Sequence, residues 1–337
     1  MLGFNRIILS RKGFDSSAGG GFSPFDLDTG KYIVLPIPEN KKDRDISTPK
    51  YEDIKIESRY FEGCDASNLK ELMWAYHYRW PPIIKRNKSE ESDYAHFDPW
   101  LGSCPWLSED SDHHKGIGAF GQVDRAQTIL CKNGVGEGSL FLFFSRFKPI
   151  NWTKASRFND IDISTEHLKE GVYFIYGWFK VGEVIDKFEK IDNSDLLSQG
   201  EKTKLKEHHP HATQKYFGEC RDKNNTIYIA DKLLFPYDTV GGCGYFDRLS
   251  ENLLLTATDS AQEHCKVNWI PSRWKMKPGF SFETCKSNFT ERKHWYDTDR
   301  DGSYLVKTGW RWQEAVFEES EEFCQWFNDK LLPEMRK

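Results

Sequence analysis

The stretches GVGEGSLFLFFSRF (134–147) and GVYFIYGWFKVGEVID (171–186) decide the fold. Each opens on glycine and then runs through β-branched and aromatic residues with almost no polar interruption, the composition of strands buried on at least one face. NNTIYIADKLLF (224–235) adds a third strand. The apolar density predicts that 139–147, 172–185 and 225–230 are strands of one sheet or barrel.

Working outward, QVDRAQTILCKNG (122–134) reads as a helix closed by Gly134, and KTKLKEHHPHATQ (202–214) as a polar stretch with three histidines. Residues 6–12 form an expected first strand that feeds the loop around Gly19, Gly20 and Gly21, and KYIVLPIP (31–38) an expected second strand stopped by its prolines. ENKKDRDISTPKYEDIKIES (39–58) is charged and expected to be exposed. In DASNLKELMWAYHYRW (65–80), Leu69, Leu72, Met73 and Tyr76 fall at helical spacing behind Asp65 or Ser67 as N-cap. A last helix is expected in ESEEFCQWFNDKLLPEMRK (319–337), with Ser320 near its N-cap. No internal repeat or low-complexity linker divides the chain, so residues 1–337 are expected to form a single domain.

Composition excludes several classes. With 12 Trp, 24 Phe and 14 Tyr, the chain carries too much aromatic surface to remain disordered. A net charge of -5 argues against a polybasic nucleic-acid coat but allows a local basic groove. The apolar run Ile7-Ile8-Leu9 is framed by Arg6, Arg11 and Lys12 with no small-residue cleavage site, so it reads as a strand and not as a signal peptide. No apolar run approaches membrane-spanning length, and the expected location is the cytoplasm. Eight cysteines without a CxxC pair fit reduced thiols better than a disulfide framework or a zinc ribbon.

The first candidate site is LSRKGFDSSAGGGFSPFD (9–26). Three glycines can present backbone N–H groups to an anion, Arg11 and Lys12 supply charge, Ser16 and Ser17 supply hydroxyls, and Asp15 is an acid/base or capping carboxylate. The pattern matches neither nucleotide-binding glycine fingerprint, so a tight structural turn is the competing reading. HFDPW places His96 and Asp98 two residues apart, and HHPH places His209 and His211 two apart around Pro210. In extended chain such pairs share a face and can converge on a metal, a phosphate or a base, and two such pairs could in principle make a His/Asp metal site, or they serve only as loop polarity. The absence of CxxC and HExxH motifs and the distance between the two pairs lead to an expectation of no metal. Gln122 and Gln127 can hydrogen-bond a base edge or cap a turn, and Trp178 can stack on a base or belong to the core.

In chain order, LSRKGFDSSAGG, SPF, LPIP, HFDPWL, FGQ, GVGEGSLFLFF, YGWFKVGEV, HPH and NTIYIA together resemble the third nucleotide-modification-associated domain family, over roughly residues 4 to 275. The family pattern has proline at Phe22, aspartate at Trp100 and Gly-Trp at Ser145-Arg146. The resemblance implies a phage or bacterial protein of nucleotide or nucleic-acid base modification. Residues 134–235 also resemble the strand pair of PUA-like barrels such as the EVE and ASCH domains, which implies a nucleotide pocket at a barrel mouth.

The expected molecule is therefore α+β: a PUA-like β-barrel core, with an N-terminal strand and Gly-rich loop packed against it and helices at the periphery. Asp15, His96, Asp98, His209 and His211 are the expected catalytic residues. Arg11, Lys12, Ser16, Ser17, Gly19, Gly20, Gly21, Gln122, Gln127 and Trp178 are expected to bind a nucleotide or a modified base in DNA or RNA. The chemistry expected is group transfer or hydrolysis, without a membrane and with no cofactor specified. The competing readings are a non-catalytic reader of modified bases and a nucleotide sensor in phage defence.

Overall fold

The structure, a computed structural model, describes residues 1–14, 18–39, 47–76, 81–82, 91–109, 114–150, 157–158, 161–162, 171–213, 217, 224–257, 273–287, 292–297, 304–307 and 314–337. Its centre is the pair expected to be the core strands, β7 (Leu140–Pro149) and β10 (Val172–Ile185), which run antiparallel. Every side chain of β7 except Lys148 is buried, as its unbroken apolar run requires. β1 (Ile7–Arg11) pairs with β7 in parallel, and β16 (Glu314–Phe317) closes the other edge of β1, with Ser10 opposite Glu314.

On the far side, β10 pairs with β11 (Thr226–Ala230), then come β6 (Gly118–Gln122) and β5 (Trp100–Leu101). β2 (Ser23–Phe25) adds to β7, and β12 (Cys243–Tyr245) adds to β10. Smaller pairings are β3 (Ile37–Pro38) with β4 (Ala95–His96), β8 (Arg157–Phe158) with β9 (Ile161–Asp162), and the trio β13 (Arg273–Lys275), β15 (Tyr304–Lys307), β14 (Trp295–Asp297).

This is a mixed sheet with few helices, and it corrects the barrel expectation. Closure would need the two ends of the path to pair. The path instead runs β16-β1-β7-β10-β11-β6-β5 and ends on different edges. Bulges near Gly177 and Gly182 let β10 pair with β7 along its first part and with β11 along its last, which bends the sheet without closing it. The 31–38 stretch is also not a continuous strand: only Tyr32 bridges to Phe25, and only Ile37 and Pro38 pair. Two prolines remove the donors a longer ladder would need.

The helices are α1 (Leu69–Ala75), α2 (Asp124–Lys132), α3 (Gln199–His208), α4 (Glu321–Trp326) and α5 (Leu332–Met335). Asn68, not Asp65 or Ser67, caps α1 by accepting from the Glu71 N–H, while Ser320 caps α4 as expected. Helix α3 runs from just before the stretch read as merely polar into its first half. Its start is fixed by a reciprocal capping box between Ser198 and Glu201, and only Leu205 on it is buried. α3 covers one face of β6 and β11, where Ala119, Ile227 and Ile229 meet Leu205. The opposite face, with Phe120 and Tyr228, joins the main core. No helix among the described residues is long and apolar enough to cross a membrane.

Candidate functional site

The end of β6 and the start of β11 come close to the place where β1 meets β16, since Gln122 bonds Glu314, the residue opposite Ser10. The chain leaving β1 places Lys12 there, and β4 and the turn after it supply His96 and Asp98. The residues following α3 supply His209 and His211. Three segments that are remote in sequence thus deliver polar side chains to one point.

Asp98 is the hub, and its side chain is fully buried. Its Oδ1 accepts the Gly121 N–H at 2.9 Å and lies 3.3 Å from His209 Nε2, and its Oδ2 lies 3.3 Å from Lys12 Nζ. The Lys12 ammonium also sits 4.3 Å from the centre of the Phe120 ring, so a carboxylate and an aromatic face hold it together. Burial pushes the Asp98 carboxyl up, but Lys12 and the neighbouring His209 and His211 outweigh it and hold the group well below the usual carboxylate range.

The two histidine pairs expected from sequence meet here. His96 Nδ1 lies 2.5 Å from Glu39 Oε2, and His96 Nε2 lies 3.1 Å from His211 Nε2, with the rings nearly perpendicular. His211 Nδ1 lies 3.0 Å from Asn225 Oδ1, while Asn225 Nδ2 donates to the His211 carbonyl at 3.0 Å. A carbonyl only accepts, so the second bond fixes the amide and makes His211 Nδ1 the donor to Asn225. Glu39 fixes His96 Nδ1 as a donor in the same way. Both Nε2 atoms therefore turn toward one another.

The environments split the histidines. Burial would lower His96, but the Glu39 carboxylate and its hydrogen bond raise it above its ordinary value. Burial lowers His209 despite the nearby Asp98, and burial takes His211 down to about 3. His96 thus favours the proton and His211 refuses it.

Glycine makes room for this arrangement. A Cβ on Gly121 would sit 2.1 Å from the His211 ring. Next to it, Gln122 Nε2 donates to Glu314 Oε1 at 2.5 Å. Burial pushes the Glu314 carboxyl up to about 7, against the pull of Lys12 and of hydrogen bonds. The cavities flanking Asp98 and His209 measure about 20 and 10 Å³, the size of a single water. The larger is walled by Phe97, Trp106, Tyr176 and Tyr245.

Of the other expected residues, Asp15, Ser16 and Ser17 lie outside the described residues. Gly19 has φ +88° and packs against the Phe14 ring, 2.5 Å from where a Cβ would stand, so its lack of a side chain serves the loop's own packing. Gly20 is exposed and Gly21 buried. Gln127 accepts from the Tyr228 hydroxyl at 2.9 Å. Trp178 is 6% exposed, packs over Gly244 where a Cβ would lie 2.4 Å from it, and donates its indole N–H to the Gly241 carbonyl. Its ring is packing surface, as aromatic residues on a buried strand commonly are.

Sequence reasoning missed Glu39, Asn225, Gly121 and Glu314. Glu39 was grouped with an exposed charged run, yet it is 4% exposed because β3 pairs with β4 and carries it to His96. Its position directly after LPIP (35–38) was the available signal.

A sequence profile described as nucleotide modification associated domain 3 matches residues 6–318. No curated protein and no solved structure matches the chain.

Proposed function

The chain belongs to the nucleotide modification associated domain 3 family, and from that premise we propose that it is an enzyme that modifies a nucleotide or a nucleic-acid base at the Asp98 cluster. One observation carries the reading: Lys12, Glu39, His96, Asp98, His209 and His211 converge from four segments into a buried group whose histidines differ in proton affinity. Stability alone gives little reason to gather so many ionisable groups away from water, and such clusters concentrate at functional sites.

In this reading residues 1–337 work as one unit. Arg11 and the exposed Gly20 face the phosphate or sugar. Asp98 and the histidines serve group transfer or hydrolysis. The alternative is a base reader without chemistry.

Mass spectrometry of nucleosides from cells expressing the wild-type chain, the Asp98→Asn variant or neither decides between them. A modified nucleoside present only with the wild type supports the enzyme. A profile identical in all three, with nucleotide co-purifying with both proteins, leaves the reader.

A further inference from the structure

We propose that His96, Asp98 and His211 bind a divalent first-row transition ion through the two Nε2 atoms and one carboxylate oxygen. The inference rests on the reading of this cluster as the functional site and deepens it, because sequence spacing led to the opposite expectation. The donor atoms of these three residues all lie within 4.8 Å of one another.

The decisive feature is the direction of the rings. With each Nδ1 committed as a donor, to Glu39 and to Asn225, the two Nε2 positions face each other at 3.1 Å. Two lone pairs held that close repel unless a cation sits between them. Two nitrogens each ~2.1 Å from one ion stand about 3.0–3.4 Å apart at angles between a right angle and a tetrahedral one. The observed separation falls in that interval.

The surroundings match a metal centre in three further respects. A histidine ligand ordinarily donates its other ring N–H to a carboxylate or carbonyl, and Glu39 and the Asn225 Oδ1 accept it here. The Gly121 N–H orients the Asp98 carboxylate. Glu39 and Asp98 bring two negative charges against the one positive charge of Lys12, a balance that a divalent ion can meet. His209 completes the picture: its side chain is fully buried, its Nε2 has no aligned hydrogen-bond partner among the described residues, and it points at Asp98. Two imidazoles and one carboxylate suit zinc or iron(II), and three protein ligands leave positions open for water or substrate. The competing occupant is a single proton, carried by His96 and shared with His211.

Chelator-treated full-length protein titrated with Zn²⁺ by calorimetry, and with Fe²⁺ without oxygen, separates ion from proton. The expected result is one ion per chain at Kd below about 10 μM. His96→Ala and His211→Ala should each weaken binding by roughly 100-fold, and Glu39→Gln, which alters only a positioning residue, by about 10-fold. His208→Ala, one residue from the cluster and ion-paired with Glu207, should bind as the wild type does. If the alanine variants do not fold, Co²⁺ added to the wild type answers instead, since mixed nitrogen and oxygen ligation gives visible absorption bands. Binding that survives both histidine replacements, or a wild type that takes up no stoichiometric ion and shows no Co²⁺ bands, overturns the proposal. Metal uptake without any modified nucleoside would sink the base-modification reading and leave the site standing. Modification that persists in chelator-treated protein with no metal uptake would do the reverse.

Discussion

The same three elements, β6, β11 and α3, build two unlike places at their opposite ends. Where β6 ends and β11 begins, beyond the C-terminus of α3, lie Asp98 and its histidines, tightly packed around cavities that hold about one water each. At the other end, about 15 Å away along the helix, a cleft of about 570 Å³ is lined by Gly116, Gly118, Ser198, Asp231, Gly242 and Cys243. The cleft has room, and several of its polar groups are paired. Asp231 pairs with Lys180 at 2.9 Å, Ser198 and Glu201 cap each other, and burial pushes the Cys243 thiol up to about 12. The histidine end has little room and many groups of shifted proton affinity. Volume and chemistry part company here, and the local use of glycine is one reason: the space at Gly121 is filled by His211, whereas Gly116 has nothing within 4 Å of a Cβ position.

The contrast breaks most readily at Asp98. Asp98→Ala removes the partner of Lys12 and the acceptor of the Gly121 N–H, and we expect a loss of about 3–5 kcal/mol in chemical denaturation. A loss under about 1 kcal/mol would mean that the cluster is not the coupled buried unit described here.

Glu314 gives the next largest effect, through pH. Its folded value of about 7 lies above the 4.5 of a free side chain. Below 4.5 both states hold the proton and there is no penalty. As pH rises, the unfolded chain ionises first, so the folded state binds more protons and loses stability up to about pH 7. The difference between wild type and Glu314→Gln should therefore fall by roughly 2–4 kcal/mol across that interval, measured by urea unfolding at a series of pH values. A difference independent of pH would show that Glu314 ionises as an ordinary carboxylate.

Gly121→Ala sharpens the comparison. The added methyl must displace His211, at an expected 1–3 kcal/mol typical of overpacking (about that range), with loss of metal uptake as its specific signature. Gly118→Ala at the cleft end also meets close neighbours, Ala230 and Cys243, yet should leave metal uptake unchanged. The smallest effect is Ser198→Ala, which opens the capping box of α3 for about 1 kcal/mol by thermal unfolding. Metal uptake that falls with Ser198→Ala as steeply as with Gly121→Ala would show that the two ends are not separable.

The comparison also explains what could be read from the sequence. β7, β10 and β11 were legible because unbroken apolar runs have few other places to go, and the His96/Asp98 and His209/His211 pairs were legible as pairs. Their meeting was not. It depends on β3 pairing with β4 and on α3 turning the chain back over β6, and α3 itself offers a single buried residue, Leu205, to any search for an apolar stripe. Glu39, Asn225 and Glu314 have unremarkable local contexts and acquire their roles from partners 57, 14 and 192 residues away. The barrel expectation failed for a related reason, since composition identifies strands but the edges they pair through are set by bulges and bridges distant in sequence.

The pairing of β1 has a consequence in time. Its two partners are residues 140–144 and 314–317, so during synthesis the first strand waits for the middle of the chain on one edge and for almost all of it on the other. At about 5–20 residues per second that second wait lasts roughly 15–60 s. Throughout it, Ile7, Ile8 and Leu9 present an unpaired edge, and Glu314 has not yet arrived to lie opposite Ser10. The Gln122–Glu314 contact is thus among the last that the growing chain can make.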